Sequence, residues 1–383
     1  MSLDYFHIRY YCLLELLFCS SFLYLSKVIL SPVYFLLPLC IFFSCFRSNY
    51  LKISIRSFLL SLAIFSLMVF HLLNFKNEYI YPIVLNGVVS SLIVFFAHNI
   101  FYRVTSVDIE KIVRHGLFFL FLLYCIDFSW KINNPLLNPL YDIADSDIWF
   151  YKFKNSLMFG DSNGVAILLL CFIGLIFSLQ STKKTQFNML FLSIIFFILI
   201  AATFSRSALF SYVLLIICWY YRQLSFVYRF ILVFPIFIIS IYIISFALEY
   251  VAKDGSGGTK LNEIFAILKF ISTANTLELF TGFGIGNGDS ITGRYVHGLI
   301  PKLIVETGIL GFIIIISYFF NSLLNNRNLI WFLIPFFVSS LSLSTYIIVP
   351  FVILFIEIAN AYNRAVSHEY INSFVFLQSR KYS

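Results

Sequence analysis

Charged side chains are scarce in this chain: Asp, Glu, Lys and Arg together make up 11% of its 383 residues. Hydrophobic residues make up 61%, and Phe alone fills 48 positions. A soluble domain of this composition would be a hydrophobic core with almost no polar surface, which excludes a soluble fold. Apolar runs of about 17–25 residues recur instead of short alternating segments, which excludes a membrane β-barrel. The sequence therefore predicts an all-α protein that crosses a membrane several times.

The chain also lacks cysteine spacings that bind metals. Its seven cysteines all lie in apolar runs, so we expect neither disulfides nor zinc, and we predict no metal and no cofactor. No basic block interleaved with aromatic residues is present, so the net charge of +8 indicates no nucleic-acid partner and reflects topology and anionic membrane lipids. The apolar run after Arg9 lacks a small-residue cleavage site, which predicts a retained first span.

Hydropathy predicts a single integral membrane domain over residues 1–383 with about twelve transmembrane helices. The expected spans are 10–27, 31–46, 57–75, 81–101, 115–130, 159–179, 187–204, 207–221, 230–249, 298–320, 329–345 and 347–362. Because the count is even, both termini are expected on one side. Two longer loops, 131–158 and 250–297, are expected on the other side, and the second of them joins spans nine and ten.

Lysine and arginine in the short loops predict the orientation, because loops rich in these residues stay in the cytoplasm. One set of short loops carries eleven of them: Arg47, Lys52, Arg56, Arg103, Lys111, Arg114, Lys183, Lys184, Arg222, Arg229 and Arg327. The short loops opposite carry three: Lys27, Lys76 and Arg206. This bias predicts cytoplasmic termini and outward-facing long loops.

The first outward loop, 131–158, mixes aspartates and lysines with aromatic residues. This mixture suits carbohydrate, because aromatic faces stack on sugar rings and carboxylates accept hydrogen bonds from hydroxyls. The alternative is an ordinary interfacial loop with an aromatic belt. Asp142, Asp145 and Asp147 do not follow the calcium-binding pattern of an EF-hand, so a metal is not expected there.

The second outward loop, 250–297, begins with a flexible segment at 254–258. One helical stripe follows, formed by Leu261, Ile264, Phe265, Leu268 and Ile271, and predicts a helix that lies on the outer leaflet. The sequence GFGIGNG comes next, at 282–288. Alternating glycines allow a backbone to approach a phosphate, but the strand that a dinucleotide fold requires does not precede them, so a plain turn is the default.

Several motifs in a fixed order resemble the O-antigen polymerase and ligase superfamily of bacterial membrane glycosyltransferases. They are the Ser-Arg-Ser at 205–207 between apolar runs, the outer-loop helix, the glycine turn, a histidine, the V-E-T-G-x-x-G at 305–311 and the F-G-D-S-N-G at 159–164. The resemblance covers roughly residues 155–311, and the first third of the chain resembles the family only in hydropathy. The chain has Lys260, Phe265 and Gly298 where the family often has Arg, Trp and Asn.

The resemblance implies a multi-pass protein of the bacterial inner membrane that transfers a glycan from undecaprenyl diphosphate to a hydroxyl acceptor on the periplasmic side, without nucleotide sugar or metal. Its partners would be undecaprenyl-diphosphate-linked oligosaccharides and membrane lipids, with a chain-length regulator membrane protein as a further candidate. A polymerase would move the growing chain to a new lipid-linked repeat unit. The alternatives are an O-antigen ligase that uses lipid A-core as acceptor and, from another class, a polysaccharide flippase or transporter. A transporter would show repeated halves, and we find no internal repeat.

Under this resemblance, Arg206 and Arg294 are the candidate catalytic clamps, because guanidinium groups pair best with a departing diphosphate. Arg206 interrupts the apolar stretch 187–221 at its midpoint, so the chain is expected to turn there. The alternative role of Arg206 is a turn residue that reaches lipid phosphate. The alternative for Arg294 is an ordinary exposed loop residue.

His297 is the predicted general base, because an unperturbed imidazole is neutral at pH 7 and no other histidine lies in the outward loops. Its alternative roles are an N-cap-like residue and a hydrogen-bond partner of the diphosphate. Glu306 is the alternative base. Lys302 stands four residues earlier on the same helical face, however, and can neutralise that carboxylate.

The remaining substrate-binding candidates lie around the same outward loops. They are Asp161 and Asn163 at the start of the sixth span, Lys260 in the outer-loop helix, and the Lys302 and Glu306 already named. Asp161 and Asn163 are expected to orient the acceptor hydroxyls, and helix capping is an equally good explanation for both.

Overall fold

The computed structural model describes residues 3–23, 31–48, 51, 53–75, 80–136, 152–229, 231, 265, 267–288, 298–341 and 349–381. Of these described residues, 82% are helical, which agrees with the predicted all-α membrane fold. Within the described part of the chain, the only sheet is a pair of two-residue strands.

The helices follow one another with short connections. Their bounds are α1 Leu3–Ser21, α2 Val33–Ser48, α3 Ile55–Asn74, α4 Ile80–Ile100, α5 Ser106–Asn133, α6 Ser162–Thr182, α7 Met189–Ala201, α8 Arg206–Gln223, α9 Thr276–Thr281, α10 Leu299–Asn325, α11 Ile330–Ser340 and α12 Pro350–Lys381. Strands β1, Asn155–Ser156, and β2, Gly160–Asp161, form an antiparallel hairpin before α6. A turn of 3₁₀ helix, Arg327–Leu329, precedes α11.

Five helices among the described residues, α3, α4, α5, α6 and α10, are long and apolar enough to cross a membrane. Parts of α1, α2, α7 and α11 are apolar but shorter. The protein therefore has the helices of a membrane-embedded fold, while the number of twelve spans stays a prediction. The ninth predicted span, 230–249, lies outside the described residues except for position 231.

The boundary between α5 and the first outward loop differs from the prediction. Thr105 caps α5 with its hydroxyl, and Asp108 bonds back to the backbone N–H of Thr105, so the helix starts in polar sequence well before position 115. It also continues to Asn133, which places Lys131 inside the helix and not in a loop that begins at 131. Hydropathy missed both ends because capping and side-chain partners stabilise polar helical turns.

Helix α6 is the centre of the bundle. It is apolar on all sides, and every residue from Gly164 to Leu179 is buried, as expected for a helix that is surrounded by others. Helices α7, α8, α11 and α12 pack around it. Phe177, Trp219 and Trp331 form one aromatic contact chain there, with ring centroids 4.5 and 5.0 Å apart. Peripheral helices expose large apolar side chains, such as Phe35 and Phe118, which suits contact with lipid.

Positively charged loops meet at one end of the bundle, which we call the basic end. This end contains Arg47, Arg103, Lys183, Arg222 and Arg327. Arg47 donates a hydrogen bond to the carbonyl of Arg103 at 3.2 Å, and Lys183 forms an ion pair with Glu369 at 2.9 Å. The hydrogen bond to Glu369 raises the pKa of Lys183. These contacts join loops that are distant in sequence, so the predicted cytoplasmic loops share one end of the fold.

The opposite end carries three turns, and we call it the turn end. They are the hairpin 155–161, the turn 201–206 between α7 and α8, and the glycine turn 282–288. Helices α3 and α5 run from the basic end to the turn end, because their N-termini follow loops of the basic end. The predicted turn at Arg206 is confirmed, since α7 ends at Ala201 and α8 begins at Arg206.

The membrane orientation of these two ends can be tested with topology reporters. We expect a reporter fused after Lys184 to signal from the cytoplasm, because the basic end carries the positive bias. A reporter fused after Gly257 is expected to signal from the periplasm. Dual alkaline phosphatase and fluorescent protein fusions provide the measurement. A cytoplasmic signal at Gly257 would contradict the orientation and the outward location of the candidate site.

Candidate functional site at the turn end

A buried carboxylate on α5, Asp127, anchors the hairpin 155–161. Its Oδ1 accepts hydrogen bonds from Ser156 Oγ at 2.8 Å and from the backbone N–H groups of Leu157 at 2.8 Å and Met158 at 3.3 Å. Asp127 is only 3% exposed, and a buried carboxylate is stable when several donors surround it. The hairpin is therefore attached to the end of α5, although about thirty residues separate them in sequence.

Lys131 follows Asp127 by one helical turn and is also 3% exposed. Its Nζ donates to the carbonyl of Ala202 at 3.0 Å and lies 4.8 Å from the ring centroid of Phe204 and 5.9 Å from that of Phe128. The carbonyl of Ala202 is at the C-terminus of α7, where backbone acceptors lack helical partners. Lys131 thus contacts the turn 201–206 through one hydrogen bond and one cation–π contact.

The turn 201–206 contains a backbone conformation that a non-glycine residue rarely adopts. Phe204 has a φ of 58°, which costs about 1–3 kcal/mol and persists where the surroundings hold it. Its ring lies 6.4 Å from the ring of Phe153, just before the hairpin. The hairpin and the turn are therefore in contact with each other as well as with α5.

Arg206 is exposed and is the first residue of α8. A positive charge at a helix N-terminus is opposed by the helix dipole, so helix stability does not explain an arginine at this position. The N-cap residue, Ser205, makes no side-chain capping bond. The geometry therefore presents a guanidinium group at the turn end, at a position that the helix dipole disfavours.

Asp161 and Asn163 form the N-terminal cap of α6. The Asp161 carboxylate accepts hydrogen bonds from the backbone N–H of Asn163 at 2.9 Å and from its Nδ2 at 3.0 Å. Asp161 therefore caps α6, which is one of the two roles that the sequence allows for it. Asp161 is nevertheless exposed, so its carboxylate also reaches the surface of the turn end.

The glycine turn packs against a break in α10. Gly308 has a φ of 67° inside this helix, which interrupts its hydrogen-bond ladder. The backbone N–H groups of Phe283 and Gly284 donate to the carbonyls of Val305 at 2.9 Å and Glu306 at 3.0 Å. An irregular segment at membrane depth needs such internal partners for its backbone. The turn therefore supplies the hydrogen bonds that the break in α10 removes.

Close backbone approach explains the glycines in both segments. A Cβ at Gly282 would lie 2.4 Å from the carbonyl of Glu306, and a Cβ at Gly308 would lie 2.3 Å from the carbonyl oxygen of Phe280. Gly282 also has a φ of 73°, which favours glycine. The alternation G-x-G-x-G predicts a plain turn by default, or alternatively a backbone that approaches a phosphate. In the structure it is a turn whose backbone approaches another helix.

Lys302 and Glu306 form a buried ion pair just before the break. The Lys302 Nζ and the Glu306 Oε1 are 3.9 Å apart, and both side chains are largely buried. The contact that the four-residue spacing predicts is confirmed. The same Oε1 faces Gly288, where a Cβ would lie 3.1 Å away. Glu306 is therefore in contact with both the glycine turn and its own helix.

His71, near the end of α3, is a candidate functional residue that the sequence analysis missed. It is fully buried, and neither ring nitrogen has a hydrogen-bond partner in the described part of the chain. Its ring stacks on Phe75 at 5.3 Å, and Phe75 adjoins Gly284. A buried polar group without a partner is uncommon and destabilises the fold. The sequence does carry a signal for this residue, because His71 lies inside a predicted span and ionisable residues in spans often mark function.

The helical residues 267–273 and α9 present an apolar surface beside the glycine turn. Phe265, Leu268 and Ile271 of the predicted stripe are exposed, while Phe270 is buried and its ring lies 5.2 Å from that of Phe283. Exposed apolar stripes of this kind suit contact with lipid. The other two residues of the predicted stripe lie outside the described residues.

The structure brings the predicted site residues together in two groups. Asp161, Asn163 and Arg206 lie at the starts of α6 and α8, next to the hairpin and the turn that contact the end of α5. Lys302 and Glu306 lie just before the break in α10. The positions of Lys260, Arg294 and His297 are outside the described residues. Among the residues described, no group of three or more His, Cys, Asp or Glu could hold a metal ion.

The fold and these contacts define an all-α protein with several helices able to cross a membrane and with polar, partly buried turns at one end. In comparisons with known proteins, no model of a protein family matches this chain, and no curated protein and no solved structure matches it either.

Proposed function

We propose that this chain is an O-antigen polymerase, a membrane glycosyltransferase that extends a glycan held on undecaprenyl diphosphate. The growing chain would move to the non-reducing end of a new lipid-linked repeat unit at the periplasmic face. The observation that carries this proposal is the meeting of the Arg206 turn and the Asp161 loop on the end of α5, away from the basic end. The guanidinium group of Arg206 and the carboxylate of Asp161 are thus both at the turn end, where the first would bind the donor diphosphate and the second the acceptor hydroxyls.

The proposed reaction is a displacement at the anomeric carbon of the donor glycan. An acceptor hydroxyl oxygen forms the new bond while the bond from that carbon to the diphosphate oxygen breaks. His297 takes the hydroxyl proton as general base. Arg206 and Arg294 stabilise the negative charge that develops on the leaving diphosphate. Asp161 orients acceptor hydroxyls, and Lys302, Glu306 and Lys260 contribute to binding.

Substitution of Arg206 by lysine tests this assignment. An ammonium group keeps the positive charge but loses the bidentate geometry with phosphate oxygens. We therefore expect Arg206→Lys to lose about 2 kcal/mol of transition-state stabilisation, which is about thirtyfold in rate. Purified protein with lipid-linked repeat units, followed by chain-length analysis on gels, provides the measurement.

Arg327→Lys is the matched control for this experiment. Arg327 is also exposed and also begins a helical segment, but it lies at the basic end. We expect its lysine variant to polymerise at the normal rate. Near-normal polymer from Arg206→Lys would leave Arg206 with only a role in the turn. Transfer of glycan to lipid A-core, without extension of lipid-linked units, would favour a ligase over a polymerase.

A further inference from the structure

The position of Lys131 in the last turn of α5 does not by itself explain why its ammonium group is buried. A lysine in the last turn of a helix usually reaches water along the helix surface or interacts with the carbonyls of its own helix end. Here the ammonium group is 3% exposed and donates to Ala202 of a different helix. The Asp127 carboxylate, one turn earlier on α5, is the opposite charge nearest in sequence. Because buried ion pairs can often be replaced by apolar side chains without loss of stability, a buried cation here points to a role in specifying geometry.

The geometry that Lys131 specifies is that of the turn before Arg206. Its ammonium holds the carbonyl of Ala202 and the ring of Phe204, which has a positive φ. Only Ser205 stands between Phe204 and Arg206. The two contacts that Lys131 makes therefore attach this turn, and with it the start of α8 and the origin of the Arg206 side chain, to α5. The Thr203 hydroxyl adds hydrogen bonds within the turn, and Phe153 packs against Phe204.

The same end of α5 also determines where the Asp161 loop lies. Asp127 holds residues 156–158 of the hairpin, and β2 of this hairpin ends at Asp161. Asp127 and Lys131 are one helical turn apart, about 6 Å along the axis. A single rigid helical turn thus sets the separation between the loops that carry Asp161 and Arg206. Functional groups keep their geometry best when rigid elements hold them in this way.

We infer that Lys131 is a positioning residue for the diphosphate-binding arginine: it holds the turn 201–206 against α5 so that Arg206 faces the leaving group while Asp127 holds the acceptor loop beside it. The part of this inference that names diphosphate as the ligand of Arg206 rests on the proposed function. Whether Lys131 keeps the turn 201–206 against α5 can be tested without any substrate.

Trypsin provides the test that does not depend on activity. Arg206 is the only lysine or arginine between Lys184 and Arg222, so cleavage after Arg206 gives fragments of distinctive size. Cleavage there requires local opening of the turn, and its rate follows the population of the open form. We expect Lys131→Met in detergent to be cut after Arg206 about tenfold faster than the unmodified protein. Lys131→Arg, which keeps the cation, is expected to stay within about twofold.

Lys152→Met is the matched control, because Lys152 is a half-buried lysine on the hairpin side of the same end. Its rate of cleavage after Arg206 is expected to stay unchanged. Arg206→Ala identifies the fragment, since it removes the cleavage site. Should Lys131→Met fail to fold, Phe204→Leu removes the ring that Lys131 contacts and is expected to speed the same cleavage. Unchanged cleavage in folded Lys131→Met or Phe204→Leu overturns the inference.

Kinetics then separate positioning from general stability. With lipid-linked repeat units, Lys131→Met is expected to lower kcat about tenfold with KM changed less than about twofold, because the arginine acts in the transition state. In an Arg206→Ala background the same substitution is expected to add no further loss. Fully additive losses would contradict a role through Arg206. If the unmodified protein extends no lipid-linked unit, the proposed function fails, while the trypsin experiment still decides the holding role.

Discussion

Gly308→Ala is expected to prevent the accumulation of stable protein in the membrane. The added Cβ would lie 2.3 Å from the carbonyl oxygen of Phe280 and 2.5 Å from the backbone nitrogen of Gly282, and neither backbone atom can move as a flexible side chain does. The φ of 67° adds strain of about 1–3 kcal/mol for a residue other than glycine. Overpacking of this kind costs roughly another 1–3 kcal/mol, so the sum is a large part of the stability of a typical domain. Thermal unfolding in detergent and membrane abundance provide the measurement.

Gly87→Ala is the matched control for the Gly308 variant. A Cβ at Gly87 would lie 2.4 Å from the sulfur of Met68, which is the flexible part of a long side chain and can shift. Gly87 also lies in regular helix, where alanine is favoured over glycine. We therefore expect a small change in the midpoint of unfolding. If Gly308→Ala unfolds at the same temperature as Gly87→Ala, the contact between the glycine turn and α10 does not stabilise the fold.

His297→Ala is expected to stop glycan polymerisation while the protein stays abundant and inserted. General-base catalysis contributes roughly 10²–10⁴-fold to rate, so under the proposed function cells that carry this variant should have lipopolysaccharide capped with a single repeat unit. The length ladder of lipopolysaccharide on a gel provides the measurement. The membrane abundance of the variant provides the check on folding.

His297→Gln separates proton abstraction from binding. Glutamine can still hydrogen-bond a diphosphate but cannot take a proton near neutral pH, so it should fail as badly as alanine if His297 is the base. Long chains from the glutamine variant would assign His297 to binding. Glu306 would then be the base to test, and it would have to act from its buried ion pair with Lys302. An intact ladder from both variants would reject the role of this histidine.

Sequence alone determined the features that depend on near neighbours in the chain. Apolar runs predicted helices because a backbone in lipid must satisfy its own hydrogen bonds. All the described helices except α9, which lies in the predicted second loop, overlap predicted spans with shifted ends. The four-residue spacing predicted the contact of Lys302 with Glu306, and the polar interruption at Arg206 predicted the turn. Each of these signals lies within a few residues along the chain, where helical geometry is known in advance.

Only the tertiary structure decided which distant residues meet. The contact of Lys131 with Ala202 spans 71 positions, and that of Asp127 with Ser156 spans 29. The partners of the glycine turn, at 305 and 306, and the burial of His71 likewise depend on how α3 and α10 pack. A single sequence carries no local signal for such pairs, because packing of whole helices sets them. The charge of Arg206 was therefore predictable from the sequence, whereas the residues that hold its turn in place were not.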